Sequence, residues 1–94
     1  MELTDLYQFI CERRDAPTAE SYTARLMSQG EDEILKKVGE EAMEIILAAK
    51  GQGNERLVEE VADITYHLLV LLAYKRLSPD DVRAELDRRH KPRP

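Results

Sequence analysis

The sequence predicts an all-α fold: a compact helical bundle with two long antiparallel central helices, completed by homodimerisation. Three observations predict it. Two segments, 31–50 and 55–75, repeat their apolar residues at three- and four-residue spacing. Only Gly51-Gln52-Gly53-Asn54, a turn with a cap for the next helix, lies between them. The second segment is apolar round nearly its whole circumference, so it needs neighbours on several sides. A chain of 94 residues buries a modest share of its surface, and a partner subunit is the expected supplement.

The elements follow in order. Leu3, Leu6, Tyr7 and Ile10 mark an opening amphipathic helix, with Phe9 and Cys11 extending its buried side, and Asp15-Ala16-Pro17 ends it. A second short helix runs from Ser21-Tyr22-Thr23 to a stop at Gly30, with Tyr22, Leu26 and Met27 inward. Ile34, Val38, Ala42, Ile45 and Ala49, widened by Leu35 and Ile46, form the stripe of the first long helix. On the second, Leu57, Val58, Val61, Ala62, Ile64 and the run 68–72 leave little polar surface. Ser78-Pro79-Asp80-Asp81 starts a last helix, with a capping serine, proline at the first position and acids at the positive end. That helix is short and mostly surface-facing. One domain covers residues 1–94, and 89–94 form a flexible basic tail.

Composition narrows the function. Fourteen Lys and Arg against nineteen Asp and Glu give a net charge of -5, which disfavours a nucleic-acid surface. It leaves room for an anionic substrate, since bound metal ions invert the local field. Cys11 is the lone cysteine, which suits a reducing, cytoplasmic setting. The N-terminus has no signal-like segment, and the most apolar stretch, 61–74, holds Asp63 and His67 and is too short for a bilayer, so no membrane is expected.

The informative residues are two acid pairs, Glu41 with Glu44 and Glu60 with Asp63. Each has i,i+3 spacing, so its carboxylates converge across one turn. Glu41 falls within about 20° of Ile34 and about 40° of Ile45, on the apolar side of its helix. Glu60, Asp63 and His67 share one side of the next. Buried acids need counter-charges or a metal. Antiparallel packing across the short turn lets the pairs face one another, giving an oxygen-lined site for a hard cation, magnesium or manganese. The plainer alternative is a solvated cluster of Glu40, Glu41 and Glu44 with Lys36, Lys37 and Lys50 as surface partners. Lys36 and Lys37, one turn earlier, are either phosphate ligands or ordinary surface lysines. His67 either orients Glu60 or Asp63 or is a satisfied bundle histidine. The tyrosines read as packing residues.

The stretch from Lys36 to Glu44, KKVGEEAME, together with EEVADITYHLLVLL from Glu59 to Leu72, resembles the phosphoribosyl-ATP pyrophosphohydrolase family. Ser21-Tyr22-Thr23 with Leu26 and Gly30 resembles that family's N-terminal motif, and the likeness spans about Leu6 to Arg88. The four acids match the Glu-x-x-Glu and Glu-x-x-Asp hallmark of the wider all-α nucleoside-triphosphate pyrophosphohydrolases. The resemblance implies hydrolysis of 1-(5-phosphoribosyl)-ATP to 1-(5-phosphoribosyl)-AMP and pyrophosphate, the second step of histidine biosynthesis. It also implies magnesium and a homodimer whose two subunits build the sites. Some relatives are fused to a zinc cyclohydrolase, for which 94 residues with one cysteine and two histidines leave no room, so the stand-alone form is expected.

In that scheme Glu41, Glu44, Glu60 and Asp63 hold magnesium against the triphosphate. One of them, or Glu40, accepts a proton from water. Lys36 and Lys37 stabilise the leaving pyrophosphate, and Ser21, Tyr22 and Thr23 contact phosphoribosyl or phosphate groups. Two other functions stay open: a house-cleaning pyrophosphohydrolase for ordinary or damaged triphosphates, and a non-catalytic helical dimerisation module.

Overall fold

The computed structural model describes residues 1–90. Five helices follow in order: α1 (Leu3–Asp15), α2 (Tyr22–Gln29), α3 (Glu31–Gly51), α4 (Asn54–Tyr74) and α5 (Pro79–Arg89). The long helices fall within one residue of the spans expected from periodicity. Among the described residues no helix is long and apolar enough to cross a membrane. The expected tail begins inside α5, which runs to Arg89, with Arg88 and Arg89 both paired to Glu85. The rest of it, 91–94, lies outside the described residues.

Local chemistry sets the breaks. Ser21 Oγ accepts from the Ala24 N–H at 3.1 Å and caps α2. The Asp81 carboxylate accepts from the Ser78 N–H at 2.8 Å, closing the first turn of α5 behind Pro79. Gly30 joins α2 to α3 in one residue, at φ 96° and ψ 178°, a region only glycine enters cheaply. A Cβ there meets open space, so Gly30→Ala carries backbone strain alone. We expect it to destabilise the chain by about 1–3 kcal/mol, read by denaturant unfolding. An unchanged midpoint would show that the α2–α3 corner relaxes freely.

α4 ends differently. Arg76 takes the left-handed conformation, φ 62°, usually given to glycine, while its N–H reaches the Ala73 carbonyl and the Leu77 N–H reaches that of Leu72. α1 fastens onto this end: Arg14 Nη1 donates to the Ala73 carbonyl at 2.8 Å, and the Tyr7 hydroxyl donates to that of Leu77.

α3 and α4 form an antiparallel pair, and α1 and α2 cover one side of it. The core is Ile10, Leu26, Ile34, Leu69, Val70 and Ala73. The buried line of α3 is narrower than its apolar stripe. It runs Ile34, Glu41, Ala48, with Val38 and Ile45 half-buried, while Leu35, Ala42, Ile46 and Ala49 stay exposed. On α4 the covered residues are Glu60, His67, Leu69, Val70 and Ala73, and Val58, Val61 and Leu68 face out. Both helices leave apolar residues open for one reason: α1 and α2 reach only part of the hairpin, and among the described residues no helix packs closely on the rest. Phe9 and Tyr22 also depart from their expected inward placement. Phe9 lies at the surface with the Arg13 guanidinium 4.8 Å from its ring centre. The Tyr22 ring is exposed and only its hydroxyl turns inward.

Candidate functional site

The link between α3 and α4 is Gln52-Gly53. Counting back along α3, Glu44 lies eight residues from Gln52; counting forward along α4, so does Glu60. Equal arms at about 1.5 Å per residue bring the two acids to the same height, roughly 12 Å from the turn. Glu41 and Asp63 match in the same way one turn further on. The hairpin therefore sets the pairs opposite each other through its own register.

Their surroundings differ. Glu60 is 1% exposed and Glu41 9%, whereas Glu44 and Asp63 lie at the open edge. One oxygen of Glu60 meets the Arg56 guanidinium, one helical turn back. The other, Oε2, is buried with no hydrogen-bond partner. Its neighbour Glu44 is a second carboxylate, with no donor to give unless one of the two carries a proton. The Glu60 carboxyl is accordingly pushed up, first by proton sharing with Glu44, then by burial and by the charges of Glu44 and Asp63, against the pull of Arg56. Glu41 is pushed up as well, first by burial, with Asp63 and Glu44 adding to it and His67 opposing it. The four acids thus feel one another across the hairpin.

His67 bonds Glu41, across the helix pair. Its Nδ1 lies 2.6 Å from Glu41 Oε1 and 3.1 Å from the Asp63 carbonyl, both acceptors, so Nδ1 carries a proton. Of the two expected partners, the Glu60 carboxylate makes no bond to it and Asp63 contributes only its main chain. Nε2 lies 3.0 Å from the Tyr22 hydroxyl. The Tyr22 phenol is held above its ordinary range, chiefly by burial and then by Tyr66, Glu41 and Glu33, against Arg25, so it stays protonated. Tyr66 packs edge-on against the imidazole, ring centres 5.1 Å apart, and its hydroxyl bonds Thr23 Oγ1.

The three residues expected as phosphate or phosphoribosyl contacts therefore have internal partners: Ser21 caps α2, Tyr22 meets His67 and Thr23 meets Tyr66. Lys36 is exposed, 4.0 Å from Glu33; Lys37 is half-buried; Glu40 is exposed. Sequence reasoning passed over Arg56, although its i,i+4 spacing to Glu60 was the available signal.

Four carboxylates, one with a buried unpartnered oxygen, suit a hard divalent cation in donor chemistry. Among the described residues, no three His, Cys, Asp or Glu side chains stand as a ready-made ligand group, so metal binding requires the acids to draw together.

Comparison with known proteins bears on the same residues. The model of the family described as phosphoribosyl-ATP pyrophosphohydrolase matches residues 3–90. A phosphoribosyl-ATP pyrophosphatase of Pelotomaculum thermopropionicum is 57% identical over 84 residues, 89% of this chain and 86% of the relative. Those of Listeria welshimeri and Geotalea daltonii are 56% and 48% identical over 87 residues, 93% of this chain and 84% and 82% of theirs. A match through all five helices, at such identity, leaves no part of the described fold outside it: the chain belongs to the phosphoribosyl-ATP pyrophosphohydrolase family.

Proposed function

We propose that this chain hydrolyses 1-(5-phosphoribosyl)-ATP to 1-(5-phosphoribosyl)-AMP and pyrophosphate, the second step of histidine biosynthesis, as a cytoplasmic, magnesium-dependent homodimer. It is a hydrolase acting on a phosphoric anhydride, as its family membership and its named relatives support. The observation that carries the site is the opposition of Glu41 and Glu44 to Glu60 and Asp63, with one oxygen of Glu60 buried and unpartnered. Acids that raise one another's proton affinity in this way destabilise the fold unless positive charge offsets them.

Glu41, Glu44, Glu60 and Asp63 are the residues that hold the metal. Magnesium bound there supplies neutralisation of phosphate charge and Lewis acidity at the α–β linkage. A carboxylate of the group, or Glu40 beside it, takes the proton of the attacking water. Lys36 and Lys37 face the charge left on pyrophosphate. Homodimerisation is supported by the uncovered side of the hairpin, where Leu35, Met43, Ile46, Leu47, Val58, Val61 and Leu68 are each more than 40% exposed.

The test is pyrophosphate release from phosphoribosyl-ATP and from ATP, each with magnesium, with manganese and with chelator. Magnesium-dependent turnover of phosphoribosyl-ATP with little from ATP is expected, and manganese should substitute. Comparable turnover of ATP would move the chain to the house-cleaning class. No turnover of either by folded, metal-supplied protein would leave a helical binding module.

A further inference from the structure

The Ser21-Tyr22-Thr23 motif and His67 form one construction. Ser21 fixes the start of α2 through its bond to the Ala24 N–H. That cap sets the direction in which Tyr22 leaves the first turn, and the Tyr22 hydroxyl reaches His67 Nε2 at 3.0 Å. The imidazole is 7% exposed and bounded by aromatic rings, Tyr22 at 5.9 Å and Tyr66 at 5.1 Å, each edge-on. Thr23 ties Tyr66 in place from the same turn of α2. At its other nitrogen the ring has two acceptors, Glu41 Oε1 at 2.6 Å and the Asp63 carbonyl at 3.1 Å. A carboxylate bonded through Oε1 has its rotation about the terminal bond fixed, and the direction of Oε2 is fixed with it. The chain of contacts crosses three helices: Tyr22 on α2, His67 on α4 and Glu41 on α3.

We propose that Tyr22 is a positioning residue, holding His67 and through it the Glu41 carboxylate in the orientation from which Glu41 acts. The proposal rests on the assignment of Glu41 to the metal site. It gives Tyr22 a role different from direct contact with the substrate, and it explains why a tyrosine at the surface turns its hydroxyl into the bundle. His67 is the intermediary that carries the effect, and α2 becomes the helix that sets the geometry of an acid borne by α3. A residue supporting a metal ligand in this way changes metal affinity or activity by about 10–100-fold when lost.

Tyr22→Phe is the sharpest probe, since it keeps the ring and deletes only the hydroxyl. Three quantities are read for wild type, Tyr22→Phe, His67→Gln and the double variant. They are manganese affinity by electron paramagnetic resonance without substrate, kcat on phosphoribosyl-ATP, and KM. Tyr22→Phe is expected to weaken manganese binding or lower kcat by about tenfold with KM within about twofold. The double variant is expected to lose no more than His67→Gln alone, because both changes cut one path. A raised KM with unchanged manganese affinity and kcat would make Tyr22 a substrate contact and overturn the proposal, as would losses that multiply in the double variant, or no loss in Tyr22→Phe. Wild-type protein that binds manganese but ignores phosphoribosyl-ATP would refute the assigned reaction instead. The manganese titration of the variants would then still decide for or against the positioning role.

Discussion

Glu60→Gln is expected to melt a few degrees above the parent in chelator and to lose at least about a hundredfold of its magnesium-dependent pyrophosphate release. The two effects share one origin. In the metal-free chain Glu60 is a buried acid beside Glu44, with one oxygen unpartnered. The amide of glutamine has nearly the same shape, carries no charge and donates two hydrogens, so it can satisfy the Glu44 carboxylate without taking up a proton, where an ionised Glu60 repels it. The loss of the Arg56 ion pair is small by comparison, because that guanidinium is 46% exposed and stays solvated. Activity moves the other way. Charge stabilisation by a bound metal is worth several kcal/mol, and each 1.36 kcal/mol is a factor of ten in rate. Calorimetry in chelator and a pyrophosphate assay in magnesium check the pair. Full activity would remove Glu60 from the metal site; a lower melting temperature would show that Arg56 outweighs the repulsion.

Leu68→Glu is expected to convert a dimer into a monomer. Leu68 is 42% exposed and lines an open groove of ≈ 360 Å³ with Leu72 of α4 and with Val82 and Leu86 of α5. An unpaired charge buried in an interface costs about 3–5 kcal/mol, more than a hundredfold in dissociation constant at about 1.4 kcal/mol per tenfold. Sedimentation equilibrium across a concentration range reads the change in mass directly. A parent chain that sediments as a monomer would sink the dimer. A parent dimer untouched by the substitution would place the interface elsewhere on the molecule, with Ile46 and Met43 on α3 the next residues to charge.

The helices and the acid pairs were legible in the sequence because both depend on local spacing. Periodicity located α3 and α4 to within a residue, and i,i+3 spacing paired Glu41 with Glu44 and Glu60 with Asp63. What spacing along one helix leaves open is the register between two. His67 sits one turn from Asp63, and its own helix offered Glu60 and Asp63 as partners; the acid it bonds is Glu41, on the facing helix. The same holds for Tyr22, whose hydroxyl meets a residue 45 positions away. The exposed halves of the apolar stripes show a related effect. An apolar face records what a helix needs in the finished assembly, and a single chain covers only the share its own helices reach.

The two-residue link between α3 and α4 also orders the making of the molecule in time. It keeps all four acids within 22 positions of sequence, from Glu41 to Asp63. Closing so short a loop costs little chain entropy, and helical hairpins built from local contacts are the fast events of folding. The bonds that clasp α1 to the far end of α4, Arg14 to Ala73 and Tyr7 to Leu77, span 59 and 70 positions and have far more chain to organise. Short-range closure of this kind favours gathering the carboxylates by an early local collision, ahead of the fastenings at the opposite end of the hairpin, an order that φ-values on α4 and α1 would test.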